Sequence, residues 1–142
     1  MKILITGVAG LIGANFADYI LSSPHLLSDA TIEIVVGIDN LSGGLKENIN
    51  SKVLFYQEDL LHFEKIEDIF RQHKFDYIFH FAAYAAEGLS PFIRKFNYNN
   101  NLLATTNLVN LSIKYGIRRF VYTSSMATYG YGNNDGSAFT EE

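Results

Sequence analysis

Short β-branched runs alternate along this chain with segments of helical period, and the alternation predicts its layout. Residues 2–6 ("KILIT") form an apolar run that stops at Gly7. Apolar residues then fall at Leu11, Ile12, Ala14, Phe16, Ala17, Ile20 and Leu21, a helical pattern that Ser22, Ser23 and Pro24 end. Residues 31–39 ("TIEIVVGID") are rich in β-branched side chains and predict a second strand, and residues 52–57 ("KVLFYQ") a third. Phe63, Ile66, Ile69 and Phe70 share one face of a helix from about His62 to His73. Residues 75–83 ("FDYIFHFAA") predict a fourth strand whose unbroken apolar character calls for burial on both faces. A long helix from about Arg94 to Tyr115 follows, closed by Gly116, and residues 118–125 ("RRFVYTSS") predict the fifth strand.

Strands alternating with helices give an α/β fold with a parallel, doubly wound sheet, right-handed crossovers and expected strand order 3-2-1-4-5. Residues 1–142 form one domain on this reading. Ligands of such sheets bind beyond the carboxyl ends of the strands, where the order switches between strands one and four. The residues to inspect are therefore those just after each strand.

Composition narrows the chemistry. The chain is 48% hydrophobic and 18% charged, enough for a real core, and carries a net charge of −4 with scattered Lys and Arg. That argues against nucleic acid or an anionic membrane surface as a partner. Cysteine is absent, which excludes disulfides and thiol catalysis, and the four His stand in no close cluster with carboxylates, so no metal site is expected. No apolar run reaches the roughly 18 residues needed to span a bilayer. The first 16 residues could suggest an export signal, with "ANFA" as its cleavage site. Gly7, Gly10 and Gly13 interrupt the apolar run at every third position, which argues against it and leaves a cytoplasmic protein as the expectation.

The strand ends carry candidate chemistry. Gly7-Val8-Ala9-Gly10-Leu11-Ile12-Gly13 lies between a strand and a helix, the setting of a dinucleotide-binding turn. Gly7 permits the turn, Gly10 a close approach of pyrophosphate, and Gly13 close packing of helix on sheet; the helix N-terminus offers N–H groups to an anion. The same glycines also serve a purely structural tight turn. Asp39 can accept hydrogen bonds from ribose hydroxyls and repel a 2′-phosphate, or cap the turn "DNLSGG". Asp59 can pair with an adenine amino group or cap the next helix. Ala82 and Ala83 allow a cofactor against the backbone, or close helix–strand packing. His80, in an apolar strand, reads as a hydrogen-bonded core histidine. Asn101 falls inside the long helix, where its low propensity points to a specific hydrogen bond.

Taken in order, "TGVAGLIG", "GIDNLSGG", "EDL", "HFAA", "NLLATTNL" and "RRFVYTSSMATYG" resemble the extended short-chain dehydrogenase/reductases, the NAD-dependent epimerase/dehydratase group acting on nucleotide sugars. The resemblance runs from Lys2 to about Gly130 and implies a Rossmann-type fold with NAD as cofactor. It implies that Leu11 and Ile12 border the pyrophosphate and that Asp39, Asn40, Leu41, Ser42, Gly43 and Gly44 surround the adenosine ribose. Asp59 and Leu60 would contact adenine. Phe81, Ala82, Ala83, Tyr84 and Ala85 would line the nicotinamide side, supported by Asn101. Ser124 would lie against the cofactor, and Ser125 matches the family's catalytic Ser/Thr, which hydrogen-bonds the sugar hydroxyl being oxidised.

After Ser125, the family's 4,6-dehydratases carry acids; this chain has Met126 and Ala127, neither able to shuttle a proton. That resembles the UDP-sugar 4-epimerase branch, in which hydride passes to NAD and returns to the other face of a ketosugar. The family's Tyr-x-x-x-Lys pair is expected roughly twenty residues beyond Tyr129; no tyrosine here has Lys four residues on. Neither Tyr129 nor Tyr131 qualifies as the base. The expectation is the NAD-binding part of a longer enzyme, with "FTEE" resembling the lead-in to that motif, rather than a short natural module. The sixth strand and the nucleotide-sugar domain would lie elsewhere. A non-catalytic NAD sensor and a family dehydratase or reductase are the alternatives. The family also implies a homodimer through the Arg94 to Tyr115 helix, which would leave apolar residues such as Leu108 and Val109 partly exposed here.

Overall fold

The computed structural model describes residues 1–23, 31–85, 87–130 and 137; Pro24, Tyr131 and residues 139–142, named above, lie outside them. Five parallel strands form one sheet in the order β3-β2-β1-β4-β5. They are β1 (Lys2–Thr6), β2 (Ile34–Asp39), β3 (Leu54–Gln57), β4 (Tyr77–His80) and β5 (Arg119–Tyr122). Helices α1 (Leu11–Ser22), α2 (Phe63–His73), α3 (Arg94–Asn97) and α4 (Ala104–Lys114) accompany them.

Alternating side chains of the central strand build a core on each face of the sheet. Leu4 meets Ile66, Phe70, Leu108 and Leu111 from α2 and α4. Ile3 and Ile5 point the other way, toward Ala17 and Ile20 of α1. A sheet buried on both faces leaves only its strand ends for chemistry.

Four strands are shorter than their apolar patterns, three of them because a strand ends where its neighbour ends. β1 pairs Lys2 with Ile34, so residues 31–33 have no ladder to join. β4 stops at His80, opposite Thr6, where β1 gives way to the glycine turn. β5 stops at Tyr122, opposite His80, the end of β4, whereas β3 starts at Leu54, opposite Val36, although β2 reaches back to Ile34. The chain beyond His80 is thereby freed to become a loop over the strand ends.

The expected long helix is present, but not as one α-helix. Tyr98–Leu103 forms a π-helix between α3 and α4. Here the hydroxyls of Thr105 and Thr106 donate to the carbonyls of Asn101 and Leu102, four residues back. Gly116, with φ +66°, closes α4 as expected: its own N–H reaches the Ile113 carbonyl and the Ile117 N–H the Ser112 carbonyl. Leu108, expected to be partly exposed, is fully buried. Its position shares a face with Ala104 and Leu111 and fills the core under β4, whereas Tyr98, Leu102, Val109 and Ile113 form the exposed apolar stripe. Among the described residues no helix is long and apolar enough to cross a membrane.

Candidate functional site

The glycine turn after β1 is the foundation of the site. Gly7 adopts φ +69°, a left-handed conformation that favours glycine, and its N–H bonds the Ile38 carbonyl at 2.9 Å. Gly13 is glycine for packing: a Cβ there would lie 2.1 Å from the Gly7 oxygen. Gly10 is different. Its φ of −80° and ψ of 169° are open to any residue, and an added Cβ would meet only the Gly7 oxygen, at 3.3 Å. The backbone angles of Gly10 do not require glycine, and its one close neighbour is that backbone oxygen. The helix beginning at Leu11 has neither a capping side chain nor an acid in its first turn, which leaves its positive end open to an anion. Leu11 and Ile12 are exposed at that end.

Asp39 caps the turn that follows it, one of its two expected roles. One carboxylate oxygen accepts from the Ala9 N–H at 3.0 Å and the other from the Leu41 N–H at 2.8 Å. It therefore ties the glycine turn to the turn after β2 and holds Leu41 at φ +60°. Each oxygen retains a lone pair for a further donor. The second turn is fastened again at Leu45, whose N–H reaches the Ala9 carbonyl. Gly44 sits so close to Ala9 that a Cβ would fall 2.6 Å from its carbonyl carbon.

Asp59 caps the turn after β3 through the Leu61 N–H at 2.9 Å and also accepts from the Asn40 side chain at 3.0 Å. Asn40 in turn accepts from the Ser42 N–H, which closes this wall. Glu58 beside it is held down to about 2 by the hydrogen bond from His62, with Lys65 adding to the effect. Its carboxylate is thus an ion at any neutral pH.

The far wall is the loop after β4. Asn101 makes the specific hydrogen bonds its position implied: its side chain accepts from the Tyr84 N–H at 2.7 Å and donates to the Tyr84 carbonyl at 3.0 Å. The Tyr84 ring packs edge-on against Phe96, 4.8 Å between centroids. His80 is buried and hydrogen-bonded on both ring nitrogens, as a core histidine should be.

These walls enclose a cleft at the β1/β4 switch point. Gly7, Gly10, Asp39, Asn40, Ser42, Gly43, Gly44, Asp59, Leu60 and residues 81–84 line it. Leu11, Ile12, Gly13, Leu41, Ala85 and Asn101 stand outside the lining, at the turn ends or behind the loop. Ser124 and Ser125 follow β5 at the same end of the sheet and do not reach the cleft wall. The Ser125 hydroxyl accepts from the Ala127 N–H at 3.2 Å, capping the short helix Met126–Tyr129. Four lining residues lacked a prior signal: Ile38, Glu58, Asn100 and Ala104. Glu58 could have been found from its place beside Asp59. Asn100 and Ala104 reach the cleft only because the helical segment crosses behind it.

The model of the NAD dependent epimerase/dehydratase family matches residues 3–142. The chain belongs to this family. Among its relatives is the UDP-glucose 4-epimerase of Bacillus subtilis, 36% identical over 137 residues, 92% of this chain and 38% of that protein. A dTDP-D-glucose 4,6-dehydratase of Dictyostelium discoideum is 35% identical over 135 residues, 92% of this chain and 30% of that protein. Among solved structures, the Thermus thermophilus UDP-glucose 4-epimerase in complex with NAD superposes with a TM-score of 0.87 at 30% identity, over 99% of this chain and 43% of that one. The chain thus spans less than two fifths of the length of the curated relatives named. Family membership accounts for both the glycine turn and the sheet order, and NAD is the cofactor the family is named for.

Proposed function

We propose that residues 1–142 are the NAD-binding portion of a nucleotide-sugar 4-epimerase. Gly10 carries the reading: a glycine whose backbone angles suit any residue and whose added Cβ would touch one oxygen at 3.3 Å, at the uncapped N-terminus of α1. The donor set fits the cofactor. N–H groups of the first turn of α1 would meet the pyrophosphate, the free lone pairs of Asp39 the ribose hydroxyls, and Asp59 with Leu60 the adenine. Phe81 to Ala85 would lie along the nicotinamide, held in place by Asn101 from behind. NAD, when bound, supplies the hydride acceptor for the sugar carbon. Ser125 would orient the sugar hydroxyl by hydrogen bonding, with Ser124 beside the cofactor.

The cleft lining contains three carboxylates, Asp39, Glu58 and Asp59, and no Lys or Arg among the described residues. A 2′-phosphate entering it would face like charge with no counterion, so NADP should bind at least about tenfold more weakly than NAD. Calorimetric titration of the chain with each cofactor measures this. Equal affinities would overturn the Asp39 role. Asp39→Ser should weaken NAD and narrow the gap without reversing it, since Glu58 and Asp59 remain.

The similarity to a 4,6-dehydratase supports a second reading, elimination of water instead of epimerisation. Met126 and Ala127 favour the epimerase, because elimination needs proton-carrying groups at those positions. A protein that continues through a Tyr-x-x-x-Lys segment and a sugar-binding domain should interconvert UDP-glucose and UDP-galactose, while residues 1–142 alone should not. Loss of a general base costs about 10²–10⁴-fold, and loss of substrate positioning adds to it. A 4-keto-6-deoxy product from the longer protein would favour the dehydratase instead.

A further inference from the structure

Five groups behind the cleft form one directed chain of hydrogen bonds, and its polarity follows from its last acceptor. The Thr105 hydroxyl donates to the Asn101 carbonyl at 2.6 Å, and a carbonyl can only accept. The Thr105 oxygen must then accept from His80, 2.8 Å away, so the His80 proton sits on Nε2. Nδ1 is left as an acceptor for the Thr6 hydroxyl at 2.6 Å. The Thr6 oxygen in turn accepts from the Ala82 N–H at 3.4 Å. Thr6 and His80 are essentially fully buried, so no water competes for these partners.

The two ends of this chain hold the two ends of one loop. Ala82 is bonded to Thr6, and Tyr84 is gripped on both backbone groups by the Asn101 side chain. Between them lies Ala83, on the cleft wall. The loop also rests on the glycine turn, since a Cβ on Gly7 would sit 2.7 Å from the Ala82 nitrogen. The spacing from Thr6 to Asn101 therefore sets where the 82–84 backbone meets a ligand held by the turn. That spacing is spanned by one imidazole and one hydroxyl.

We propose that His80 and Thr105 are positioning residues for the dinucleotide: a neutral Nε2–H imidazole joins β1 to the π-helix and fixes the loop that forms the nicotinamide wall. The π-helix is part of the device, because it carries Asn101, whose carbonyl ends the relay and whose side chain holds Tyr84. The other tautomer would set a bare Nε2 against the Thr105 oxygen, two acceptors with no proton between them, and a charged imidazole would deprive the Thr6 hydroxyl proton of its acceptor at Nδ1. The proposal rests on the NAD reading of the cleft given above.

The test compares the chain with Thr105→Val and Thr105→Ser, and at the other end with Thr6→Val and Thr6→Ser. NAD affinity is measured by calorimetry and amide exchange by NMR. The valine variants should bind NAD about five- to tenfold more weakly, the range expected for one buried hydrogen bond, and the serine variants should restore most of it. Exchange should quicken at the Ala82 and Tyr84 amides and stay unchanged at Val36, in the sheet. Ring nitrogen shifts of His80 in the wild type should show the Nε2–H tautomer. Failure of the wild type to bind NAD would overturn the cofactor reading, and this one with it. Wild-type binding that the valine variants match would overturn this proposal alone, as would an Nδ1–H tautomer. If a valine variant does not fold, the other end of the relay and the tautomer measurement decide.

Discussion

Gly13→Ala should abolish NAD binding and destabilise the fold, whereas Gly10→Ala should abolish binding with the fold intact. The contrast follows from what each new methyl group meets. At Gly13 it would lie 2.1 Å from the Gly7 oxygen, 2.8 Å from the Gly7 carbonyl carbon and 2.9 Å from the Val8 Cα. All three are backbone atoms of a turn already pinned to β2 through the Gly7 N–H and to Asp39 through Ala9, so none can swing aside. Relief requires α1 to lift from the sheet, which separates Ala17 and Ile20 from Ile3 and Ile5 in the core. Overpacking of this kind costs about 3 kcal/mol or more. At Gly10, a residue of the cleft lining, the methyl meets one oxygen at 3.3 Å. Urea unfolding of the two variants should separate sharply, with Gly10→Ala within about 1 kcal/mol of wild type. Calorimetry should show no NAD binding by either. Retained binding by Gly10→Ala would remove the observation on which the functional reading rests.

Acid should weaken the fold well above the range in which carboxylates titrate. Burial pushes the His80 imidazole from 6.5 down to about 4, and its two hydrogen bonds fit only the neutral ring. Between those values the unfolded chain binds a proton that the folded chain refuses. Stability therefore rises with pH across this window and is lost as pH falls through it, by about 3 kcal/mol in all for His80. His73, also pushed down by burial, acts in the same direction. Glu58 adds a second, lower window: its depressed value means that stability present above 4.5 is lost as pH falls toward about 2. Denaturant unfolding followed from about pH 7 to about pH 4 should show a continuous decline. His80→Gln, which cannot take up the proton, should start less stable and decline less steeply. An equally steep decline in that variant would mean that His80 does not govern the transition.

The acid window and the relay share one residue, and this links folding to function. Across that window folded His80 stays neutral and the relay keeps its hold on the 82–84 loop, until the pH falls to about 4. The glycine variants, by contrast, act on the first turn and leave that loop's far anchor at Asn101 untouched.

The sequence by itself determined the order of the elements, the strand order and the positions of the turns that build the cleft. It could do so because these depend on local period and on glycine, and a doubly wound sheet has one preferred way to wind. Asp39 and Asn101 were legible for the same reason: an acid at a strand end and an asparagine inside a helix each conflict with their local setting and so announce a partner. Tertiary structure alone decided the rest. β4 could not be seen to stop at His80, because its length is set by Thr6 on a neighbouring strand. Leu108 and Val109 are equally apolar, and only the placement of α4 on the sheet buries the first and exposes the second. The relay that the π-helix completes depends on Thr6, His80 and Thr105 arriving within hydrogen-bond reach from positions 74 and 25 residues apart. No local pattern records such a meeting, since it exists only once the sheet has formed and the helix has packed across it.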